Sequence, residues 1–329
     1  MVMDPVCGMM VDKKTAQFKP DHKGTTYPAL ESEPEKYPKF RQTAAWSDVE
    51  MLVAAAPWAL RSVPRPDGPV DVDPPAGRRW LVVSPHLDDG VLSLGAFIAR
   101  HVGEGGEVTV LTVLAGRPDA GGPAGAWDAA SGFDSEAEAA IARRWEDRNA
   151  CADMGATVEH IEGADEQYVR DRDSAPVVGV VRAMAHTYDE ILLPGFPLAN
   201  DDHLWVADTV GGLLVSEGVG FRLYAEEPYT ADGAPVRQPS WAHDLSRERR
   251  WSVLRPTAQE QIRKVRAVAR YRSQLPLLAP PARIRTPGGT ASRALGQVWA
   301  AARRGEWISA PVAVTGSFHN KYQREKLNS

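Results

Sequence analysis

Short apolar runs alternate with amphipathic stretches from residue 79 onward. Five apolar runs rich in β-branched and aromatic residues predict strands, and they are RWLVVS (79–84), EVTVLTVLAG (107–116), TVEHIEG (157–163), EILLPGF (190–196) and GFRLYAEEPY (220–229). Apolar residues recur at helical spacing between and beyond these runs, which predicts helices over 90–102, 135–156, 175–188, 203–218, 257–274 and 292–305. Because strands that alternate with helices pair in parallel, the pattern predicts an α/β, Rossmann-like fold: a mostly parallel sheet with helices on both faces.

The helix over 135–156 has recognisable ends. Ser135 and Glu138 have the spacing of a capping box, and Gly155 is typical of a residue that ends a helix. Before this helix, Arg117–Asp134 is rich in Gly, Ala and Asp and predicts a long loop. Loops of this length are usually functional or mobile.

The chain before residue 79 has a different composition. Residues 1–63 are rich in Lys, Pro and Glu, 64–78 predict a stiff Pro-rich linker, and 79–329 predict the main domain. The run MDPVCGMMVDKKTAQFKPDHKGTTY resembles the start of a YHS domain, a small metal-associated module. No second cysteine follows Cys7 there, so a degenerate docking or packing element is expected, with a poorly ordered extension as the alternative.

Charge and composition exclude several classes of partner. The 329 residues carry a formal net charge of −5, which gives no general attraction to nucleic acid or to anionic lipid. The apolar runs are shorter than the roughly 18 residues that a membrane helix needs. The N-terminus has no secretory-signal pattern and the two cysteines form no disulfide framework, so we expect a cytoplasmic protein.

Two polar clusters follow predicted strands. PHLDDG comes after the first strand and PLANDDHL after the fourth, and the carboxyl ends of parallel strands meet at one edge of a sheet. His86, Asp89 and His203 are ligand types that zinc accepts, and three protein ligands leave a fourth position for water. Asp88 lies between two of them in sequence and could act as the general base.

A simpler interpretation exists for each cluster. Acidic residues after a strand can cap the next helix, and DDH can be a solvated helix start. However, no Lys or Arg lies between Leu81 and Ile98 to compensate the buried carboxylates. The presence of both clusters at one predicted edge favours a divalent cation, with zinc as the first candidate.

The two motifs resemble those of the PIG-L/LmbE-like zinc-dependent N-deacetylases, over roughly residues 79–275. SPHLDDGVLSLG and the late NDDH carry the resemblance, and RRWEDRNACADMG, AEEPY and KVRAVARYRSQ extend it. The resemblance implies that His86, Asp89 and His203 bind zinc and that Asp88 is the general base. Asn200 stands where the family has a histidine that helps to hold the oxyanion, and an asparagine amide can also donate a hydrogen bond there.

The resemblance also implies substrate contacts for Arg143 and Asp165. The alternatives are an exposed Arg143 paired with Glu146 or Asp147, and a turn role for Asp165. We expect a zinc-dependent hydrolase, with another divalent cation as a variant, that removes an N-acyl group from an amino sugar or its glycoconjugate. The alternatives are hydrolysis of another amide, such as a thiol conjugate, and a non-catalytic metal- or sugar-binding module.

Overall fold

The computed structural model describes residues 77–117, 122–169, 172–231, 236–242, 250–275 and 305–312, together with four two-residue strands nearer the start of the chain. Those strands form two antiparallel pairs, Val2–Met3 with Met10–Val11 and Asp21–His22 with Thr25–Thr26. The rest of 1–63, nearly all of the linker 64–78 and the helix expected over 292–305 lie outside the described residues, so the division into 1–63, 64–78 and 79–329 stays a prediction.

One seven-stranded sheet organises the described main domain. Its strands are β1 (Arg79–Ser84), β2 (Glu107–Thr112), β3 (Thr157–His160), β4 (Glu190–Phe196), β5 (Arg222–Ala225), β6 (Trp251–Leu254) and β7 (Glu306–Ser309). The order across the sheet is β6-β7-β5-β4-β1-β2-β3. Strands β5, β4, β1, β2 and β3 are adjacent in this order and run parallel to one another. β7 pairs antiparallel with both β5 and β6. The expected mixed α/β fold with a mostly parallel sheet is confirmed.

Helices cover both faces of this sheet. The α-helices of the described residues are α1 (Asp89–Gly103), α2 (Ala126–Ala130), α3 (Glu136–Met154), α4 (Ala175–Ala185), α5 (Asp201–Glu217) and α6 (Ala258–Val268). Alternate residues of β1 enter different cores: Trp80 and Val82 pack among side chains of α1, α3 and α6, whereas Leu81 and Val83 pack among side chains of α4 and α5. β1 is therefore buried on both faces, as its continuous apolar run predicts.

The predicted ends of α3 agree with the structure. The Ser135 hydroxyl accepts a hydrogen bond from the Glu138 backbone N–H at 3.2 Å, and Gly155 adopts φ 78° after the last turn. Side chains with a Cβ avoid this left-handed region, which is why glycine is favoured there.

Three features differ from the sequence prediction. The expected loop Arg117–Asp134 contains the short helix α2, and β6 and β7 were not predicted as strands. Their four-residue runs WSVL and EWIS are too short to show a period, and they are strands because they pair with each other across about 50 intervening residues. β7 also brings Glu306 to the buried Lys264, at 2.6 Å between Oε1 and Nζ, and Glu306 accepts from the N–H groups of Ala96 and Phe97 in α1.

In the described part of the chain, no helix has both the length and the apolar character needed to cross a bilayer.

Candidate active site

The loops after β1 and β4 form the candidate site. These strands are neighbours that run parallel, and the chain proceeds from β1 to β2 on one side and from β4 to β5 on the other. Ligands bind at such a switch point because the two adjacent loops separate at the carboxyl ends of the strands. The structure brings His86 and Asp89 from the first loop within contact of His203 at the start of α5.

The three side chains form a small triangle. His86 Nδ1 lies 3.1 Å from His203 Nε2, and Asp89 Oδ2 lies 3.2 Å from each of these nitrogens. Three ligand atoms about 2.0 Å from a tetrahedral ion are separated by roughly 3.3 Å, so the triangle has the size of one face of such a coordination shell. Its donor set of two imidazoles and one carboxylate could hold a divalent ion.

The remaining ring nitrogens contact carboxylates. His86 Nε2 lies 2.8 Å from Asp202 Oδ2, and His203 Nδ1 lies 2.5 Å from Glu226 Oε1. Such a carboxylate fixes the orientation and tautomer of an imidazole that binds metal through its other nitrogen. Sequence reasoning assigned no role to Asp202 or Glu226. The motif PLANDDHL and the segment AEEPY contained them, but only the fold shows that each reaches a histidine.

The charges of the two histidines and of the carboxylates around them compensate each other. Burial lowers the pKa of His203, but the Asp89 and Glu226 carboxylates outweigh burial and raise it to about 10. Burial likewise opposes the charged form of His86, but hydrogen bonds to Asp202 and Asp89 raise its pKa well above the ordinary value. Positive charge therefore balances the buried carboxylates, and a divalent ion would supply that charge in place of the protons.

Asp88 lies beside the triangle and is 7% exposed. Burial raises the pKa of its carboxyl to about 7, and the neighbouring Asp89 carboxylate acts in the same direction. A carboxylate whose pKa is near 7 is matched to proton transfer at neutral pH. Asp88 is the N-cap residue of α1 but makes no side-chain cap hydrogen bond, which argues against the helix-cap interpretation of PHLDD.

The second cluster combines a cap and a buried contact. Asn200 Oδ1 accepts from the Asp202 N–H at 2.7 Å and caps α5. Asp202 and His203 are nevertheless buried, so a solvated helix start does not describe them. The preceding Leu198 adopts φ 57°, a strained backbone region for a residue with a branched side chain. Glu226 Oε2 holds it by accepting from its N–H at 3.0 Å.

A cavity of about 350 Å³ opens next to the triangle. Its polar lining comes from both loops and from the segment after β3, and its aromatic lining comes from two side chains that sequence reasoning missed. The residues that line it include His86, Asp88, Asp89, Trp127, Arg143, Asp165, Asn200, Asp202, Tyr229 and Gln274. All seven residues of the predicted site therefore lie at one place, six along this wall and His203 directly behind it.

Arg143 differs from its simple alternative, whereas Asp165 has the turn role that its alternative predicts. Arg143 is 7% exposed and pairs with Asp128 at 2.5 Å, so the alternative of an exposed pair with Glu146 or Asp147 is wrong. Asp165 Oδ1 accepts from the Gln167 N–H at 2.9 Å, which is a turn role, and Asp165 also lines the cavity. No contact in the structure distinguishes a substrate role for either residue.

The chain is similar to known proteins over this region. Residues 81–211 match the family model described as PIG-L: GlcNAc-PI de-N-acetylase. A stretch of 53 residues is 45% identical to 1D-myo-inositol 2-acetamido-2-deoxy-alpha-D-glucopyranoside deacetylase 1 of Catenulispora acidiphila, and it spans 16% of each chain. The match thus covers about a sixth of that curated relative.

Solved structures extend the similarity. A deacetylase triple mutant of the teicoplanin biosynthetic pathway is 26% identical with a TM-score of 0.58, and the match covers 71% of this chain and 98% of that one. The A40926 pseudoaglycone deacetylase is 25% identical with a TM-score of 0.57, over 72% and 98%. The resemblance to PIG-L/LmbE-like deacetylases that the two motifs indicated is confirmed.

Proposed function

We propose that this chain, whose residues 81–211 carry the PIG-L similarity, is a zinc-dependent hydrolase that removes an N-acyl group, such as acetyl, from an amino sugar within a larger glycoconjugate. One observation carries the proposal: the triangle of His86, Asp89 and His203 lies beside the buried carboxyl of Asp88, which makes no helix-cap hydrogen bond. Two imidazoles and a carboxylate are a donor set that suits zinc better than magnesium or calcium, which prefer oxygen ligands.

His86, Asp89 and His203 would hold the ion, and Asp202 and Glu226 would fix the two imidazoles. When bound, a divalent ion of this kind supplies Lewis acidity, which polarises a carbonyl and lowers the pKa of water toward about 7. Asp88 would accept the proton of the attacking water and later deliver it to the amine that leaves. Burial of the Asp88 carboxyl favours its neutral form, so the group can hold the proton between the two steps.

Asn200 would donate a hydrogen bond to the oxygen that becomes negatively charged. Its Oδ1 accepts from the Asp202 N–H and its side chain also forms a hydrogen bond with Tyr229, which leaves one hydrogen of its Nδ2 as a donor. Asn200 also contacts Tyr229, which packs edge-on against His203 at 5.2 Å between ring centroids. An oxyanion donor of this kind is worth roughly 3–4 kcal/mol in the transition state.

The substrate class follows from the cavity and from the relatives. Arg143 and Asp165 line the cavity wall and would bind sugar hydroxyl groups. The curated relative is named for a substrate in which an acetamido sugar is joined to inositol, and the solved neighbours are named as a deacetylase of the teicoplanin biosynthetic pathway and a deacetylase of the A40926 pseudoaglycone. Removal of an acetyl group is common to these names, and the curated name supports an N-acylated amino sugar joined to a further ring as the substrate class.

Metal content tests the proposal first. Protein purified without added metal should contain close to one equivalent of zinc by mass spectrometry, and His203→Ala should lose it because a third of the donor set is removed. Amine release from N-acetylated amino sugars should accompany the metal in the wild type. A wild-type protein that contains no divalent metal and takes up none when zinc is supplied would refute the proposal.

The carboxylate behind His203 gives a second prediction. Glu226→Gln should weaken zinc affinity about 10- to 100-fold, because the amide orients the His203 ring less strongly and leaves it less basic. Competition with a chromogenic chelator measures the change. Glu146→Gln is the matched control, because Glu146 is as fully buried as Glu226 but accepts hydrogen bonds from Ser273 and not from a histidine; an equal loss of affinity in both variants would contradict the assigned role of Glu226.

A further inference from the structure

Trp127 is unusual among the large apolar side chains of the described residues. It is 42% exposed, and it lines the same cavity as His86, Asp88 and Asp89. It stands on α2, inside the stretch that the sequence predicted as a long loop. An exposed indole beside a candidate site is a place to look for a ligand contact.

Contacts of the neighbouring residues anchor α2, the helix that carries Trp127. The next residue, Asp128, is 2% exposed and pairs with Arg143 of α3 at 2.5 Å. Tyr168 donates its hydroxyl hydrogen to Asp128 and accepts from the Gly125 N–H at 3.1 Å. A helix of five residues has little stability of its own, so these contacts hold α2 in place.

The indole ring is fixed independently. Trp127 Nε1 donates to Gln274 Oε1 at 2.8 Å, and Gln274 is itself buried. The preceding Ser273 donates from both its N–H (2.9 Å) and its hydroxyl (2.7 Å) to the fully buried Glu146. The ring is thus held at its nitrogen and through its helix, so little conformational entropy remains to be lost when a ligand packs on it.

The chemistry of the cavity selects the ligand. A pyranose ring has an apolar face of C–H groups and a polar rim of hydroxyl groups. The cavity offers the apolar indole of Trp127, and it offers Asp165, Glu166 and Gln167 as polar partners. The amide-cleaving groups lie in the same cavity, so a ring on Trp127 could carry its N-acyl group to them.

We propose that Trp127 is the stacking platform for the sugar ring of the substrate, and that it selects cyclic amino sugars over acyclic amides. This inference rests on the proposed function, because it assigns the part of the same site that recognises the ring. Trp127 is a specificity-determining residue in this scheme and takes no part in proton transfer. Stacking on a rigid indole predicts a moderate effect on affinity of about 3- to 10-fold.

Binding of two probes tests the platform. The dissociation constant of methyl 2-acetamido-2-deoxyglucopyranoside should rise about 3- to 10-fold in Trp127→Leu, and Trp127→Phe should keep most of the affinity. N-acetylethanolamine, which has the amide but no ring, should bind all three proteins equally. Saturation-transfer NMR on the wild type should show the strongest transfer to the C–H protons of one sugar face. Val180→Ala is the control, since Val180 is also exposed but lies on α4 outside the cavity.

Three outcomes would overturn the inference: unchanged sugar affinity in Trp127→Leu, an equal loss for both probes, or a loss that appears only with a longer acyl chain such as butyryl. Absence of any sugar binding by the metal-loaded wild type would overturn it too. Failure of the proposed function would give a different result. A protein that binds the sugar through Trp127 but never releases the amine would support the stacking role and contradict the hydrolase proposal.

Discussion

Asp88→Asn should lower kcat for amine release by about 10²- to 10⁴-fold, the range that a positioned general base contributes. Asparagine has nearly the same shape but cannot accept the proton of water. The zinc content should stay at the wild-type level, because the three ligand atoms belong to other residues. Steady-state kinetics on an N-acetylated amino sugar, with metal analysis of the same samples, measures both quantities.

Asp201→Asn is the matched control for this variant. Asp201 also stands at the start of a helix beside the site, but its side chain is 74% exposed and pairs with Arg237. Its kcat should equal that of the wild type. A kcat for Asp88→Asn within threefold of the wild-type value would exclude Asp88 as the base. If neither protein turns over any amide while both bind zinc and sugar, the chain is a binding module.

Lys264→Met should lower the free energy of unfolding by about 3–5 kcal/mol, because it leaves the Glu306 carboxylate buried without its cation. Lys264 is 0% exposed and Glu306 is 3% exposed, and their charged atoms are 2.6 Å apart. Methionine has a similar length and fills the space, so loss of packing contributes little to the change. Urea unfolding of the two proteins under identical conditions measures the difference.

An exposed ion pair provides the comparison. Arg182 and Glu217 approach as closely, at 2.5 Å, but the Arg182 side chain is 56% exposed. Arg182→Met should therefore cost less than about 1 kcal/mol, because water screens and replaces the lost partner. Similar losses of unfolding free energy in Arg182→Met and Lys264→Met would show that burial does not account for the contribution of the Lys264–Glu306 pair to stability.

The parts of the fold that local pattern determines could be predicted. β1 was identified because residues buried on both faces form a continuous apolar run, and α3 because its period, cap and final glycine occur together. The approach of His86 and Asp89 to His203 also followed from the sequence, once both loops were placed at one edge of a parallel sheet. That inference needs only strand direction and no knowledge of the side-chain contacts.

Partners that are distant in sequence could not be predicted. Nothing near Glu226 in the chain indicates that it reaches the ring of His203, and Arg143 has acidic neighbours in its own helix but pairs with Asp128 in another. Local spacing favoured the wrong partner for Arg143 because intrahelical pairs are visible in a sequence, whereas contacts across a loop depend on how α2 docks. β6 and β7 were missed for the same reason.

The position of β7 within the sheet bears on the order in which the chain assembles. β7 lies between β5 and β6, and β6 has no other partner among the described strands. During synthesis from the N-terminus, residues 251–254 therefore cannot join the sheet until residues 306–309 have been made. Until then, β5 has an unpaired edge. Such an edge invites pairing with another chain. β7, the last of the described strands to emerge from the ribosome, thus covers the edge of a sheet whose candidate-site loops after β1 and β4 are synthesised some hundred residues or more earlier.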